Sequence, residues 1–223
     1  MTLQEIFEQL TAGEFSQLSI NRAEAGVIDE TNYQNVIGHI NLGLTRLYTR
    51  FNLKERRLQF PLQAGSDTYQ LNVHDILKVE KVLTDDEVEL PLNDASNPYS
   101  CMMKSMNTLV VPAAVSDQVA GLPEELRTTN LMVVYRANHP KLIHSTLFAG
   151  VGSINIELPY SHLEALLYFV ASRVNNPIGM TNEFHAGNSY ATKFELACQE
   201  LEGSGIQIDT TATNTKLREK GFV

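Results

Sequence analysis

The sequence has no tryptophan, only two cysteines, and no apolar run approaching the length of a membrane crossing. Each absence excludes something. A helix that spans a bilayer takes about 20 consecutive apolar residues, so the chain reads as soluble and without a membrane partner. Sugar-binding faces stack their ligand on aromatic platforms, and aromatics make up only 8% of this chain, which disfavours a carbohydrate-binding role. Cys101 and Cys198 lie far apart and neither belongs to a CxxC. They read as reduced thiols in a reducing cytoplasm rather than as a bridge. Positive charge is also short: 17 basic residues stand against 26 acidic ones, a formal net charge of −9. That balance repels phosphate and argues against a tight grip on nucleic acid. Met1-Thr2-Leu3-Gln4-Glu5 carries an acidic residue where an export peptide carries Lys or Arg, so no export signal is expected.

The motifs of catalysis and cofactor binding are missing as well. The six histidines, His39, His74, His139, His144, His162 and His185, never form HxxxH or HExxH, the spacings that place two imidazoles on one helix face for zinc. No GxGxxG or GxxxxGK[ST] occurs. Gly150-Val151-Gly152-Ser153 comes nearest and lacks the following helix whose amides would cradle a phosphate. There is no GxSxG elbow and no Cys beside a plausible His. Catalytic, cofactor and metal residues are therefore expected to be none, and the chain is read as no enzyme. His162 beside Glu164 and His185 near Glu183 read as local hydrogen bonds. Asp85-Asp86-Glu87 and Glu89 read as a solvated hairpin tip rather than a cation site, and Met102, Met103 and Met106 as core.

Hydrophobic spacing organises what is present. Leu3, Ile6, Phe7 and Leu10 predict a short amphipathic helix over about 3 to 12, stopped by Gly13. Asp29, Glu30 and Thr31 suit the capped start of a second helix. Its apolar face is Tyr33, Val36, Ile37, Ile40, Leu44, Leu47, Tyr48 and Phe51, with Arg46 and Arg50 matching the negative end of the helix dipole. From about 53 the period shortens. Leu58-Gln59-Phe60 and Tyr69-Gln70-Leu71 alternate around Ala64-Gly65-Ser66-Asp67, a hairpin signal. Further strands are expected at Ile76 to Leu83, Val88 to Leu92, Leu109 to Val111 and Leu131 to Tyr135, with Ile154 to Leu158 closing the block. Ser161-His162-Leu163-Glu164 has the S-x-x-E form of a capping box ahead of a stripe of Leu163, Leu166, Leu167, Val170, Ala171 and Val174. Asn175-Asn176-Pro177 stops that helix. Tyr190, Phe194, Ala197, Cys198 and Leu201 mark another, ending at Gly203-Ser204-Gly205. Ile206 to Val223 has little periodicity and reads as extended or disordered on its own. The expected class is α+β: a helical bundle of N-terminal (1–52) and C-terminal (159–203) helices, an inserted antiparallel β domain (53–158), and an extended tail (204–223).

Residues 156–173, Ile156-Glu157-Leu158-Pro159-Tyr160-Ser161-His162-Leu163-Glu164-Ala165-Leu166-Leu167-Tyr168-Phe169-Val170-Ala171-Ser172-Arg173, resemble the start of the long C-terminal helix of phage head-to-tail adaptors. The run from Glu183 to Cys198, with its Tyr190-x-x-x-Phe194, is similar to that family's second C-terminal helix. Tyr33 to Leu44 looks like the helix before its β insertion. The inserted block resembles the family only in placement and length. What the resemblance implies is a virion component without catalytic residues, forming a ring of probably 12 copies under the portal protein. The ring would extend the DNA channel to tail or nozzle proteins, with DNA passing non-specifically through the lumen. It also implies that the C-terminal tail reaches the portal, with Leu217, Phe222 and Val223 as apolar anchors and Lys216, Arg218 and Lys220 supplying charge. A neck stopper or tail-completion protein is the alternative in the same setting. A cell-wall-binding or hydrolytic tail protein is the alternative outside it, since distant carboxylates can pair across a cleft without a sequence signature.

Overall fold

The structure, a computed structural model, describes residues 1–15, 28, 33–143, 150–174 and 181–204, the stretch 181–188 by its backbone alone. The predicted cap at Asp29, Glu30 and Thr31, the stop at Asn175 to Pro177 and the C-terminal tail fall outside the described residues. The class is α+β, with helices and antiparallel sheets in two compact units. Among the described residues, one gathers Met1–Phe51 with the chain from His139 to Ser204, and the other gathers Asn52–Asn138.

The first unit is helical. α1 (Leu3–Ala12) buries Leu3, Ile6, Phe7 and Leu10, the face its spacing predicts. Its start carries a capping box that went unread in the sequence. Thr2 Oγ1 accepts from the Glu5 amide at 3.2 Å, and the Glu5 carboxylate accepts from the Thr2 amide at 3.0 Å, satisfying two amides that a helix N-terminus otherwise leaves open. α2 (Tyr33–Arg50) buries Val36, Ile37, Ile40, Leu44, Leu47 and Tyr48. It packs on α4 (Leu163–Val174), which packs in turn on α5 (Thr181–Gly203). Gly43 permits the α2–α4 approach: a Cβ there would stand 2.6 Å from Leu166 Cδ1 and 3.0 Å from Phe169 Cδ1. On α5, Phe194, Cys198 and Leu201 are buried, and Phe194 meets Phe169 edge-on with ring centroids 5.3 Å apart.

Two expectations fail in this unit. The run Ile154 to Leu158 is no sheet strand. It alternates buried and exposed residues as expected, but its partner is the chain's own beginning, through a single antiparallel bridge between Thr2 and Asn155 and the bonds Leu3 N–H to Ile154 O (2.9 Å) and Ile156 N–H to Met1 O (2.8 Å). Nor do Ser161 and Glu164 form a capping box. Pro159 sets φ at −61°, and a 3-10 turn over Tyr160–His162 runs straight into α4 with no side-chain cap. Ser161 Oγ sits 3.0 Å from His162 Nδ1 instead, and Glu164 accepts from the Tyr168 hydroxyl at 2.6 Å.

The second unit holds two antiparallel sheets. Four strands lie in the order β1 (Glu55–Pro61), β7 (Asn130–Ala137), β3 (Ile76–Leu83), β4 (Glu89–Leu90). Three more lie in the order β2 (Thr68–Gln70), β6 (Thr108–Val110), β5 (Met102–Ser105), and a short helix α3 spans Ala113–Ser116. Their common core contains Leu71, Val82, Leu109, Val111, Leu131 and Val133. Each such side chain contributes about 1.5–3 kcal/mol by leaving water. The predicted β1–β2 hairpin is absent: the two strands belong to different sheets. β7 offers β1 a ladder from Glu55↔Arg136 to Pro61↔Asn130, whereas β2 has three residues to pair and gives them to β6. The turn between is real, with Gly65 at φ +77° and its amide donating to Asp117 Oδ1 at 2.7 Å. The methionines do not form core either. β5 is an edge strand and Met106 lies in the turn after it, so Met102 and Met106 are exposed and only Met103 packs partly against the core.

Candidate interaction surface

Histidines in the described residues sit in separate places. In the helical unit His139 bridges two stretches of chain: Nδ1 meets Pro140 O at 2.6 Å, and Nε2 accepts from the Glu157 amide at 3.3 Å. Tyr48 donates its hydroxyl to Glu157 O and presents its ring edge-on to His139. These contacts fasten α2 to the chain before and after residues 144–149. His162 is buried and stacks edge-on with Phe51 at 4.7 Å; burial pushes its pKa below the usual histidine value. His39 is shifted the same way by burial and then by the Arg173 charge. His74 is exposed in the β unit, His144 lies outside the described residues, and His185 is described by backbone alone. Among the described residues no three His, Cys, Asp or Glu side chains gather to hold a metal, and no described helix is long and apolar enough to cross a membrane.

The acidic turn Asp85-Asp86-Glu87 does more than meet solvent. Asp85 accepts from the Thr128 and Thr129 hydroxyls, from the Thr129 and Asn130 amides and from Asn130 Nδ2, all at 3.0–3.2 Å. Desolvation works against its charge, but the bonds from Asn130, Thr128 and Thr129 prevail and bring its pKa down to about 2. The carboxylate thus pins the β3–β4 turn to the start of β7.

Polar chemistry on the helical unit concentrates where α2, α4 and α5 meet. Arg50, read in the sequence as a partner of the helix dipole, is clamped by two carboxylates of α5. Its Nε and Nη2 reach Glu202 at 2.7 and 3.0 Å, and its Nη1 reaches Glu195 at 2.7 Å. The bond to Glu202 leads in raising the guanidinium's pKa and, reciprocally, lowers that of Glu202. Beside the clamp opens a cleft of about 630 Å³ lined by Leu42, Arg46 and Thr49 of α2, Phe169 and Arg173 of α4, and Phe194 of α5, among others. Leu42 on its rim is 57% exposed. Arg173 lies over the Phe169 ring at 5.3 Å, where a cation meets the negative face of the aromatic system. Further along the same helices Lys193 sits over Tyr190 at 4.8 Å and Tyr168 at 5.4 Å. The residues of the Tyr190-x-x-x-Phe194 pattern therefore lie on the α4–α5 seam. The sequence reading did not pick out Glu195 and Glu202; their spacing of two helical turns, which puts both on one face, was the available signal. Lys216, Leu217, Arg218, Lys220, Phe222 and Val223, the expected portal-binding residues, lie outside the described residues.

No family model matches the chain, and no curated protein matches it. Among solved structures, a chain from the virion of a native gene transfer agent (GTA) particle is 11% identical, with 87% of this chain and 88% of that one covered and a TM-score of 0.29. At that score no role passes from one to the other.

Proposed function

We propose that the chain is a non-enzymatic structural subunit of a tailed-phage virion, a head-to-tail adaptor that forms a ring under the portal and carries the DNA channel toward the tail. One observation supports this above the others: the residues that resemble the adaptor helices assemble as α2, α4 and α5 of one helical unit, with a β unit inserted between α2 and α4. The acidic balance of the chain fits a lumen that lets DNA slide. On this reading about 12 copies surround the channel. The segment 206–223 reaches the portal through Leu217, Phe222 and Val223, with Lys216, Arg218 and Lys220 meeting acidic groups.

The test is cryo-electron microscopy of the purified full chain mixed with the portal protein of its phage, beside a chain lacking 206–223. A ring seated under the portal, lost or weakened at least tenfold in the truncated chain, is expected. A well-folded full chain that does not bind the portal overturns the adaptor role and favours a neck stopper or tail-completion protein. A truncated chain that binds undiminished overturns the role of the tail alone.

A further inference from the structure

Within the helical unit two charged surfaces have no partner of opposite sign among the described residues. In the cleft between α2, α4 and α5, Arg46 and Arg173 are exposed, and among the described residues neither has a carboxylate within ion-pair distance. The one acid among the described residues that line the cleft, Glu195, is already engaged by Arg50. On α1 the situation is reversed. Glu5 and Glu8 are exposed on the face away from the core, and among the described residues their donors are neutral: the Thr2 amide and the Tyr160 hydroxyl for Glu5, and the Gln4 side-chain amide for Glu8. Tyr160 is 68% exposed beside Glu5, an apolar ring next to acid, just as Leu42 is an apolar side chain next to Arg46. In a chain of net charge −9, two guanidiniums that line one cleft without a described acidic partner suit an anionic counterpart.

We infer that the cleft seats the acidic outer face of α1 from a second copy of the chain, Glu8 and Glu5 against Arg46 and Arg173, with Tyr160 against Leu42. The two patches share no residue, so the contact is head-to-tail, and such a contact repeats around a ring when its rotation closes. Exposed ion pairs add little affinity each; here they select orientation and speed encounter, while the apolar pair and the cleft floor of Phe169 and Phe194 supply buried area. The inference rests on the ring reading given above and adds the surface through which copies meet.

Two variants of the full chain test it, Arg173→Glu and Glu8→Arg, each checked for an unchanged urea midpoint. Self-association is read by sedimentation velocity, alone and with portal protein. Each variant by itself faces like charge with like and is expected to associate at least tenfold more weakly than the unmodified chain. An equimolar mixture is expected to recover. In alternating copies the Glu8→Arg site of one variant meets the Arg173→Glu site of the other at one contact, and the unaltered Glu8 and Arg173 meet at the next. Unmodified chain that assembles, with variants that assemble equally well or a mixture that does not recover, overturns this contact and leaves the ring standing. Unmodified chain that stays monomeric both alone and with portal overturns the ring and this contact together.

Discussion

The close approach of α2 and α4 gives the sharpest stability prediction. α2 carries two glycines in different surroundings. An added Cβ at Gly38 meets nothing within 4 Å, whereas at Gly43 it would stand 2.6 Å from Leu166 Cδ1 and 3.0 Å from Phe169 Cδ1. Gly38→Ala should therefore show only the helix-propensity gain, about 1 kcal/mol of stabilisation. Gly43→Ala receives the same gain but must displace side chains with little room to move, since Leu166 is fully buried and Phe169 is 8% exposed. Overpacking of this kind costs about 1–3 kcal/mol. Gly43→Ala should thus fall below Gly38→Ala by about 1–3 kcal/mol, the propensity gain cancelling in the comparison. Urea unfolding followed by circular dichroism reads the difference as roughly 0.5–1.5 M in midpoint at a slope of about 2 kcal/mol/M. A Gly43→Ala midpoint at or above that of Gly38→Ala would refute the packing argument.

Stability should also fall on mild acidification. Burial lowers the pKa of His162, and burial together with Arg173 lowers that of His39. The unfolded chain then takes up protons first, and stability present above the ordinary histidine pKa of 6.5 is lost as pH falls below it toward the folded values. Urea midpoints at about pH 7.5 and 5.5 check this, with His162→Gln expected to flatten the difference; a midpoint that rises on acidification contradicts it. Both thiols should be inert in the folded chain: burial lifts Cys101 to about 12 and, against the pull of Arg50, Cys198 to about 11. A thiol-exchange reagent at about pH 8 should label neither until urea is added, and rapid labelling of the native chain would be inconsistent with the packing described.

What was legible in the sequence divides by how local its cause is. The buried faces of α1 and α2, the strands β3 and β7 and the seam of α5 follow from period alone, because each segment must turn its apolar residues one way whatever it packs against. Pairing is not local. Leu58-Gln59-Phe60 and Tyr69-Gln70-Leu71 alternate correctly around a turn, and nothing in those residues says that the ladder of β7 competes for β1. Ile154 to Leu158 alternates just as a strand does, yet its partner is Met1 to Leu3. Ser161 and Glu164 have capping-box spacing, but Pro159 brings the chain into α4 by a 3-10 turn that leaves the box no role. The interaction surface was the least legible part. Arg50 was visible as a charge at a helix end, while the acids that clamp it stand about 150 residues away and the guanidiniums of the cleft come from separate halves of the chain.

The way the β unit is closed accounts for how those separated halves can form one helical unit. Its first strand and its last are neighbours: Glu55 faces Arg136 in the β1–β7 ladder, and the Ala137 amide donates to Lys54 O at 2.9 Å just beyond it. The chain therefore leaves the β unit beside the point where it enters. An excursion whose ends are held together adds little to the separation that the flanking helices must span, because the loop-closure entropy is met by the ladder within the insertion. Once β1 pairs with β7, Phe51 and His139 are effectively close in chain length, and Tyr48, which meets the ring of His139, gains a partner that stands far away in sequence. The inserted unit can thus vary in its outer sheet and loops, including the exposed Met102 and Met106, while the β1–β7 pairing and the α2–α4–α5 packing keep the helical unit assembled.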